Sequence, residues 1–338
     1  MRLFQILLVV FALGAGLFGR APEAKAWGEY GHLTVCDLAY RNLTDKAREE
    51  LNKLLAGPDG RGVTVSRGDV DLRSYTSFNV GCLEEDERPR RHPKDHFLNL
   101  DRGTAVIASS DCPGGNKCIL AGIDRDLAML KDGAKPRQDR VLALMAIGHW
   151  VGDIHQPLHV SFADDAGGNG VAARLSGKCG TSRYRVSNLH GVWDNCLLEA
   201  GLFERVRKRA DYKPTWGERT ITYRAVDTLM ANTTATEEKE LVKGAPVDWA
   251  NESLAITRQP GVLYCTIMAG LCRYSADQAV LPEGGQPRKQ ALSQDYLATY
   301  ERVAEGRVRL AGFRLAHLLN AALDPAYTGP TANRGQRV

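Results

Sequence analysis

The stretch His149-Trp-Val-Gly-Asp153-Ile-His155-Gln-Pro-Leu-His159, with His190-Gly-Val-Trp-Asp194 some thirty residues later, decides how this chain is read. It contains two His-x-x-x-Asp pairs and further histidines close by. A helix turns about 100° per residue, so positions i and i+4 share a face. His149 with Asp153, and His190 with Asp194, can therefore each offer an imidazole and a carboxylate to one point in space. Neutral imidazole nitrogen and carboxylate oxygen are the ligands that borderline Zn²⁺ accepts, at about 2.0–2.2 Å. The pattern is that of a metalloenzyme.

Working outward, Pro136 opens a helix that runs through Val141, Leu144 and Met145 to His149 and Asp153. Pro157 should end or kink it, and that kink could turn His159 towards a neighbouring ion. His155 points off the metal face and reads as a supporting or surface group. Gly152, beside Asp153, leaves room for a neighbouring backbone. Upstream, Thr44 is placed to N-cap a helix carrying Ala47, Leu51, Leu54 and Leu55, with Gly57 ending it. Ile119, Ile123, Leu127 and Leu130 repeat at helical spacing, and residues 296–323 form a long amphipathic segment. Glycine-rich residues 167–187, with Val171, Ala173 and Leu175 and then Tyr184 and Val186, predict a short β-hairpin. With no internal repeat, low-complexity run or linker, the expectation is mainly α: a single compact multi-helix domain over 27–325, followed by a short tail at 326–338.

The first 26 residues read as a secretory signal peptide: Arg2, an apolar run over 3–18, and Ala24-Lys25-Ala26 as a small-x-small cleavage site. Gly14, Gly16 and Gly19 interrupt the run, which is short for a bilayer span of about 20 residues. Losing Arg2, Arg20, Lys25 and Glu23 would lower the formal charge from +4 to about +2. No polycation results, so a phosphodiester partner would have to be held chiefly by bound metal. Eight cysteines suit disulfides in an oxidising compartment, periplasmic or extracellular. Cys112 with Cys118, and Cys265 with Cys272, can close short loops; Cys36, Cys82, Cys179 and Cys196 can pair in several ways. No Cys-x-x-Cys points to a zinc knuckle.

At the level of whole motifs, the chain resembles the zinc-dependent single-strand-specific nuclease and 3′-nucleotidase family, the mung bean nuclease type, whose fold is shared with zinc phospholipase C. Trp27-Gly-Glu-Tyr-Gly-His32, His96-Phe97-Leu98-Asn99, the His149–His159 block, Gly167-Gly168-Asn169 and Asn188-Leu-His190-x-x-Trp193-Asp194 carry the likeness. Trp249-Ala-Asn-Glu-Ser253 and Arg309-Leu-Ala-Gly-x-Arg-Leu-Ala316 extend it almost to the C-terminus. The resemblance implies three Zn²⁺ ions. Asp71, His96, His149 and Asp153 would hold one; His159, His190 and Asp194 a second; the Trp27 α-amine and carbonyl, His32 and a bridging Asp153 the third. It further implies a secreted monomer, without a membrane anchor after cleavage or a stable protein partner. Its substrates would be single-stranded RNA and DNA, cut to 5′-phosphate products, and 3′-nucleotides. Asp153, Asp71 and Arg73 would act at the reacting phosphate, with Phe97, Asn99 and Asn169 contacting substrate.

The chain departs from the family pattern in three places. Gly68-Asp69-Val70-Asp71-Leu72-Arg73 stands where the family reads Trp-Ala-Asp before an arginine, which leaves Asp69 as a rival to Asp71 and shifts Arg73 by one position. Asn99 replaces an aspartate that reads the base in some relatives, and the segment between His159 and His190 is longer, with Cys179 in it. Zinc phospholipase C is the runner-up, against which stand the short Trp-x₄-His spacing and Asp194 in place of a glutamate. A secreted metal-binding protein without turnover is the third reading. Arg88-Pro-Arg-Arg91, next to Glu84, Glu85, Asp86 and Glu87, reads as a solvated loop. Three Asn-x-Ser/Thr triplets (at Asn42, Asn232 and Asn251) matter only in a glycosylating pathway. His92 and His317 have no partner pattern.

Overall fold

The structure, a computed structural model, describes residues 27–57, 60–67, 70–108, 112, 113, 115, 117–175, 179, 186–231, 233–273 and 288–330. The expected signal peptide lies outside these residues, as do the side chains of 66–73. Helix α1 (Gly28–Arg41) starts directly after Trp27, which takes a left-handed φ of 37° at the N-cap. Its length is buried against neighbouring helices. In α2 (Asp45–Ala56) the Thr44 hydroxyl accepts a bond from the Ala47 amide at 3.0 Å, the cap expected from sequence, and Leu51, Leu54 and Leu55 face inward. An antiparallel pair follows, β1 (Val63–Arg67) with β2 (Val70–Tyr75), its register broken by a bulge between Val65 and Ser66. Next come the short α3 (Phe78–Gly81) and β3 (Leu98–Leu100). Helices α4 (Ile119–Lys131) and α5 (Arg137–Ile154) pack side by side as an antiparallel pair.

Helix α5 stops three residues before Pro157, and Pro157–His159 forms a 3₁₀ turn that leads into β4 (Val160–Phe162). This strand runs parallel to β3, pairing Leu98 with Val160 and Asn99 with Ser161. It thereby lays the residues after His96 alongside those after His159. Strand β5 (Val171–Leu175) finds its ladder partner far along the chain. The helical run over 189–207 begins as α6 (Leu189–Gly191), widens into π-helical turns at Val192–Cys196 and Glu199–Phe203, and ends as α7 (Glu204–Arg207). Such turns are rare and gather at functional sites. Helices α8 (Glu218–Met230), α9 (Ala235–Leu241) and α10 (Pro246–Thr257) follow, then a small hairpin of β6 (Thr266–Met268) and β7 (Leu271–Arg273). Strand β8 (Arg288–Leu292) pairs in parallel with β5, and α11 (Gln294–Leu323) closes the chain across α1, α2, α5 and α10's neighbourhood.

The turn back expected over 167–187 is present where the structure describes it: Ala172 bridges Asn188 antiparallel and the Ala173 amide donates to the Ser187 carbonyl at 3.0 Å, while β5 also pairs in parallel with β8. Tyr184 lies outside the described residues. The fold is mainly α, as expected. Cys36–Cys82, Cys112–Cys118, Cys179–Cys196 and Cys265–Cys272 are disulfide-bonded, which realises both predicted short loops and resolves the four open cysteines. Trp27, Trp150, Trp193 and Trp249 are fully buried, and they crowd around the elements carrying the histidines. Among the described residues no helix is long and apolar enough to cross a membrane.

Candidate metal centre

Three groups of buried side chains each bring ligand atoms within 4.8 Å of one another: His32, His149 and Asp153; Asp86, His96 and His149; His159, His190 and Asp194. Asp153 is at their centre. One of its oxygens is 3.2 Å from His32 Nε2; the other is 3.2 Å from His96 Nδ1, 3.4 Å from His149 Nε2 and 3.9 Å from His159 Nδ1. On the other side, Asp194 stands 3.4 Å from His190 Nε2 and 3.8 Å from His159 Nε2. The i, i+4 pairs read from sequence thus converge as drawn. Close packing at Gly152 is what admits His32: a Cβ there would lie 2.8 Å from His32 Nδ1. The neighbour in that space is this imidazole, stacked at 3.9 Å on the His149 ring, and not the backbone that sequence suggested.

Backbone carbonyls set the imidazole tautomers. His149 Nδ1 donates to the Cys82 carbonyl at 2.7 Å, His190 Nδ1 to Gly167 at 2.7 Å, and His159 Nδ1 to His96. Each ring therefore keeps a bare Nε2 lone pair aimed inward, the arrangement typical of a metal-ligating histidine. The Nε2 atoms of His159 and His190 face each other at 3.1 Å with no proton available between them. Asp153 Oδ1, Asp194 Oδ2 and His96 Nε2 are buried and make no hydrogen bond among the described residues. Facing lone pairs and unsatisfied carboxylate oxygens are costly, and a cation resolves both. The donor set of imidazoles and carboxylates fits zinc.

Electrostatics agree with the geometry. Burial pushes the His149 and His159 imidazoles well below their ordinary range and His190 down to about 4, and it lowers His96 too. These rings are therefore neutral, as metal ligands must be. Burial pushes Asp153 up to about 7 and Asp194 well above the usual carboxylate range, so the metal-free pocket holds protons that a cation would displace. The Arg90 guanidinium bears electrostatically on His96, His149, Asp153, His190 and Asp194, while pairing with Asp86 at 2.6 Å.

A profile of the S1/P1 Nuclease family matches residues 27–324, nearly everything from Trp27 onward. This chain belongs to the S1/P1 nuclease family. Endonuclease 4 of Arabidopsis thaliana is 26% identical over 88% of this chain and 89% of its own length. Endonuclease 1 of the same plant is 25% identical over 96% of each. Nuclease S1 of Aspergillus oryzae is 28% identical over 55% of this chain and 60% of its own. S1/P1 nucleases are hydrolases of phosphodiester bonds, and the mainly helical fold expected of them is the one observed here.

Within this S1/P1 nuclease the sequence-derived residues fall into distinct classes of position. His32, His96, His149, Asp153, His159, His190 and Asp194 come together; Trp27 is adjacent, its indole N–H donating to the Gly152 carbonyl at 2.8 Å. Asp71 and Arg73 lie on β2, opposite Ser66 and Val65, with side chains outside the described residues. Asp69 is outside them altogether. Phe97 and Asn99, both half-buried, follow His96 into β3. Asn169 Nδ2 donates to the Ala166 carbonyl at 2.7 Å, so it braces its own loop. Two readings are corrected. Glu84, Glu85 and Asp86 are buried, with Arg90 on Asp86 and Arg91 on Glu84 and Glu85, so the acidic half of this run is interior, and only Arg88 and Pro89 at its tip are exposed as the solvated reading expects. His155 is fully buried, not at the surface. Sequence reasoning missed Asp86; the available signal was an acid and an arginine four apart, just before His96.

Proposed function

We propose that this chain is a secreted, zinc-dependent nuclease that cleaves single-stranded RNA and DNA to 5′-phosphate products and also removes phosphate from 3′-nucleotides. The observation that carries the reading is the burial together of five imidazoles with Asp153 and Asp194, the Nε2 lone pairs of His149, His159 and His190 facing inward. His32, Asp153 and the Trp27 terminus would hold one ion, His96, His149 and Asp153 a second, and His159, His190 and Asp194 a third. For the remaining place beside His96 and His149, Asp86 offers an oxygen within that group of ligand atoms, and Asp71, whose side chain is outside the described residues, is the other candidate. Bound zinc would supply Lewis acidity towards the phosphate and a hydroxide nucleophile near neutral pH.

The side chains supply the rest. Asp153 holds the negative charge that lets cations sit close together. Carbonyls of Cys82, Gly167 and His96 keep three imidazoles in the ligating tautomer. Arg90, next to the centre, could stabilise charge on phosphate, as could Arg73. Phe97 offers a stacking face beside His96, which any base can use once it has left a duplex. The low net charge supports the same preference, since gripping a duplex needs many phosphate-neutralising cations. Four disulfides support export, and the chain from Trp27 to about residue 325 would act as one catalytic unit. Rates on single strand, on duplex of the same sequence and on phosphatidylcholine, each with and without chelator, test this. The expected result is cleavage of the single strand above all, nearly abolished by chelator and restored by zinc. Equal rates on duplex, hydrolysis of the lipid alone, or activity indifferent to chelation would each overturn it.

A further inference from the structure

Asp153 and His159 belong to different groups of the metal centre, yet only five residues separate them. The distance between their ligand atoms depends on the turn formed by residues 154–158. That turn is held from behind. Ser253 Oγ donates to the Ile154 carbonyl at 2.6 Å, Arg307 Nε to the His155 carbonyl at 3.1 Å, and Thr257 Oγ1 to the Pro157 carbonyl at 2.5 Å. The His155 ring joins the same arrangement. Its Nδ1 faces the Val151 carbonyl at 2.8 Å and must carry the proton, which leaves Nε2 as an acceptor for Arg314 Nη1 at 2.9 Å. Arg314 also forms a two-point contact with Glu252, both distances 2.6 Å, and Arg307 shares that carboxylate at 2.6 Å. His155, Arg307 and Arg314 are all buried.

Buried guanidinium groups need every donor matched, and a planar fork tolerates only one geometry. A loop held only by its own backbone would not require such a device. We propose that Arg314 and His155 are positioning residues: by pinning the turn after α5 to α10 and α11, they set the separation of Asp153 from His159 and so the affinity of the centre for metal. Neither residue touches the reacting atoms. The inference rests on the metal reading above.

The test strips zinc from the mature protein and measures rebinding against a chromophoric chelator, for wild type, Arg314→Met, His155→Leu and His155→Gln. The melting midpoint of each zinc-free protein is recorded alongside. Arg314→Met and His155→Leu are expected to bind at least one ion about tenfold or more weakly, in line with residues that support metal ligands from behind. His155→Gln, whose amide can accept from Arg314 and donate to Val151, should return to within about threefold of wild type. Lower zinc-free midpoints with unchanged zinc affinity would mean a role in the fold alone and overturn the proposal. Equal losses for Gln and Leu would overturn it as well. Should Arg314→Met not fold, Arg314→Lys carries the same expectation, since it keeps a cation on Glu252 but lacks the planar fork. A wild type that takes up no zinc would instead overturn the metal reading itself.

Discussion

Two aspartates compete for one place beside His96 and His149. Asp86 is buried within that group of ligand atoms and paired with Arg90, while Asp71 sits on β2 opposite Ser66 with its side chain outside the described residues. Asp86→Asn is expected to remove an ion from the purified protein and lower activity at least about a hundredfold, as loss of a ligand charge does. A loss confined to Asp71→Asn, read by elemental analysis, would give the place to Asp71. His149, Asp153, His190 and Asp194 are legible because i, i+4 spacing is a local property, whereas His32 and His96 enter only through the family resemblance. Asp86 is not legible, because Glu84-Glu-Asp-Glu87 looks solvated until Arg90 and Arg91 are seen folded back on it. Proton release gives a second check. Burial raises Asp153 to about 7 from an unfolded value of 3.8, so the zinc-free fold is favoured below that range and loses this contribution as pH rises through 7. The imidazoles are shifted down and hold no proton near neutrality. Zinc binding at about pH 6 should therefore expel the protons held by Asp153 and Asp194, in addition to that of the Trp27 α-amine. Calorimetry in buffers of different ionisation enthalpy reads this; binding at about pH 6 without proton release would contradict it.

At the scale of elements, α2, α4, α5 and α11 follow from apolar spacing and caps that the sequence displays openly. The β5–β8 ladder does not, since its strands are more than a hundred residues apart and neither alternates strongly. Nor does Cys36–Cys82 or Cys179–Cys196, where sequence permits several pairings and only folding selects. Helix α5 carries a testable exception to helix propensity. Replacing a mid-helix glycine with alanine usually stabilises by about 1 kcal/mol. At Gly306 on α11, where nothing lies within 4 Å of the added carbon, Gly306→Ala should raise the melting midpoint. At Gly152 the same carbon would press on His32 Nδ1 at 2.8 Å, so Gly152→Ala should displace His32 and cut activity about tenfold or more. Melting curves and rates for the pair decide it; full activity in Gly152→Ala would show that His32 is not held by this contact.

Across the whole molecule, Trp27 and a disulfide both reach the centre. Trp27 anchors its indole on Gly152, next to Asp153, and a free α-amine there could bind zinc where a mid-chain amide nitrogen could not. Protein retaining Ala26 is expected to fold yet lose one ion and nearly all activity, while protein beginning at Trp27 keeps both. Full zinc content and turnover with Ala26 retained would rule out the terminal amine as a ligand. The Cys36–Cys82 disulfide lies against Gly148, where an added carbon would meet Cys82 Sγ at 2.3 Å, and the Cys82 carbonyl holds His149. Opening that bridge is expected to loosen the anchor of a central imidazole. On the function proposed above, a newly made chain, still reduced and still carrying residues before Trp27, would lack two supports of its centre, and the order of export, trimming and oxidation would decide when it first becomes dangerous to nucleic acid.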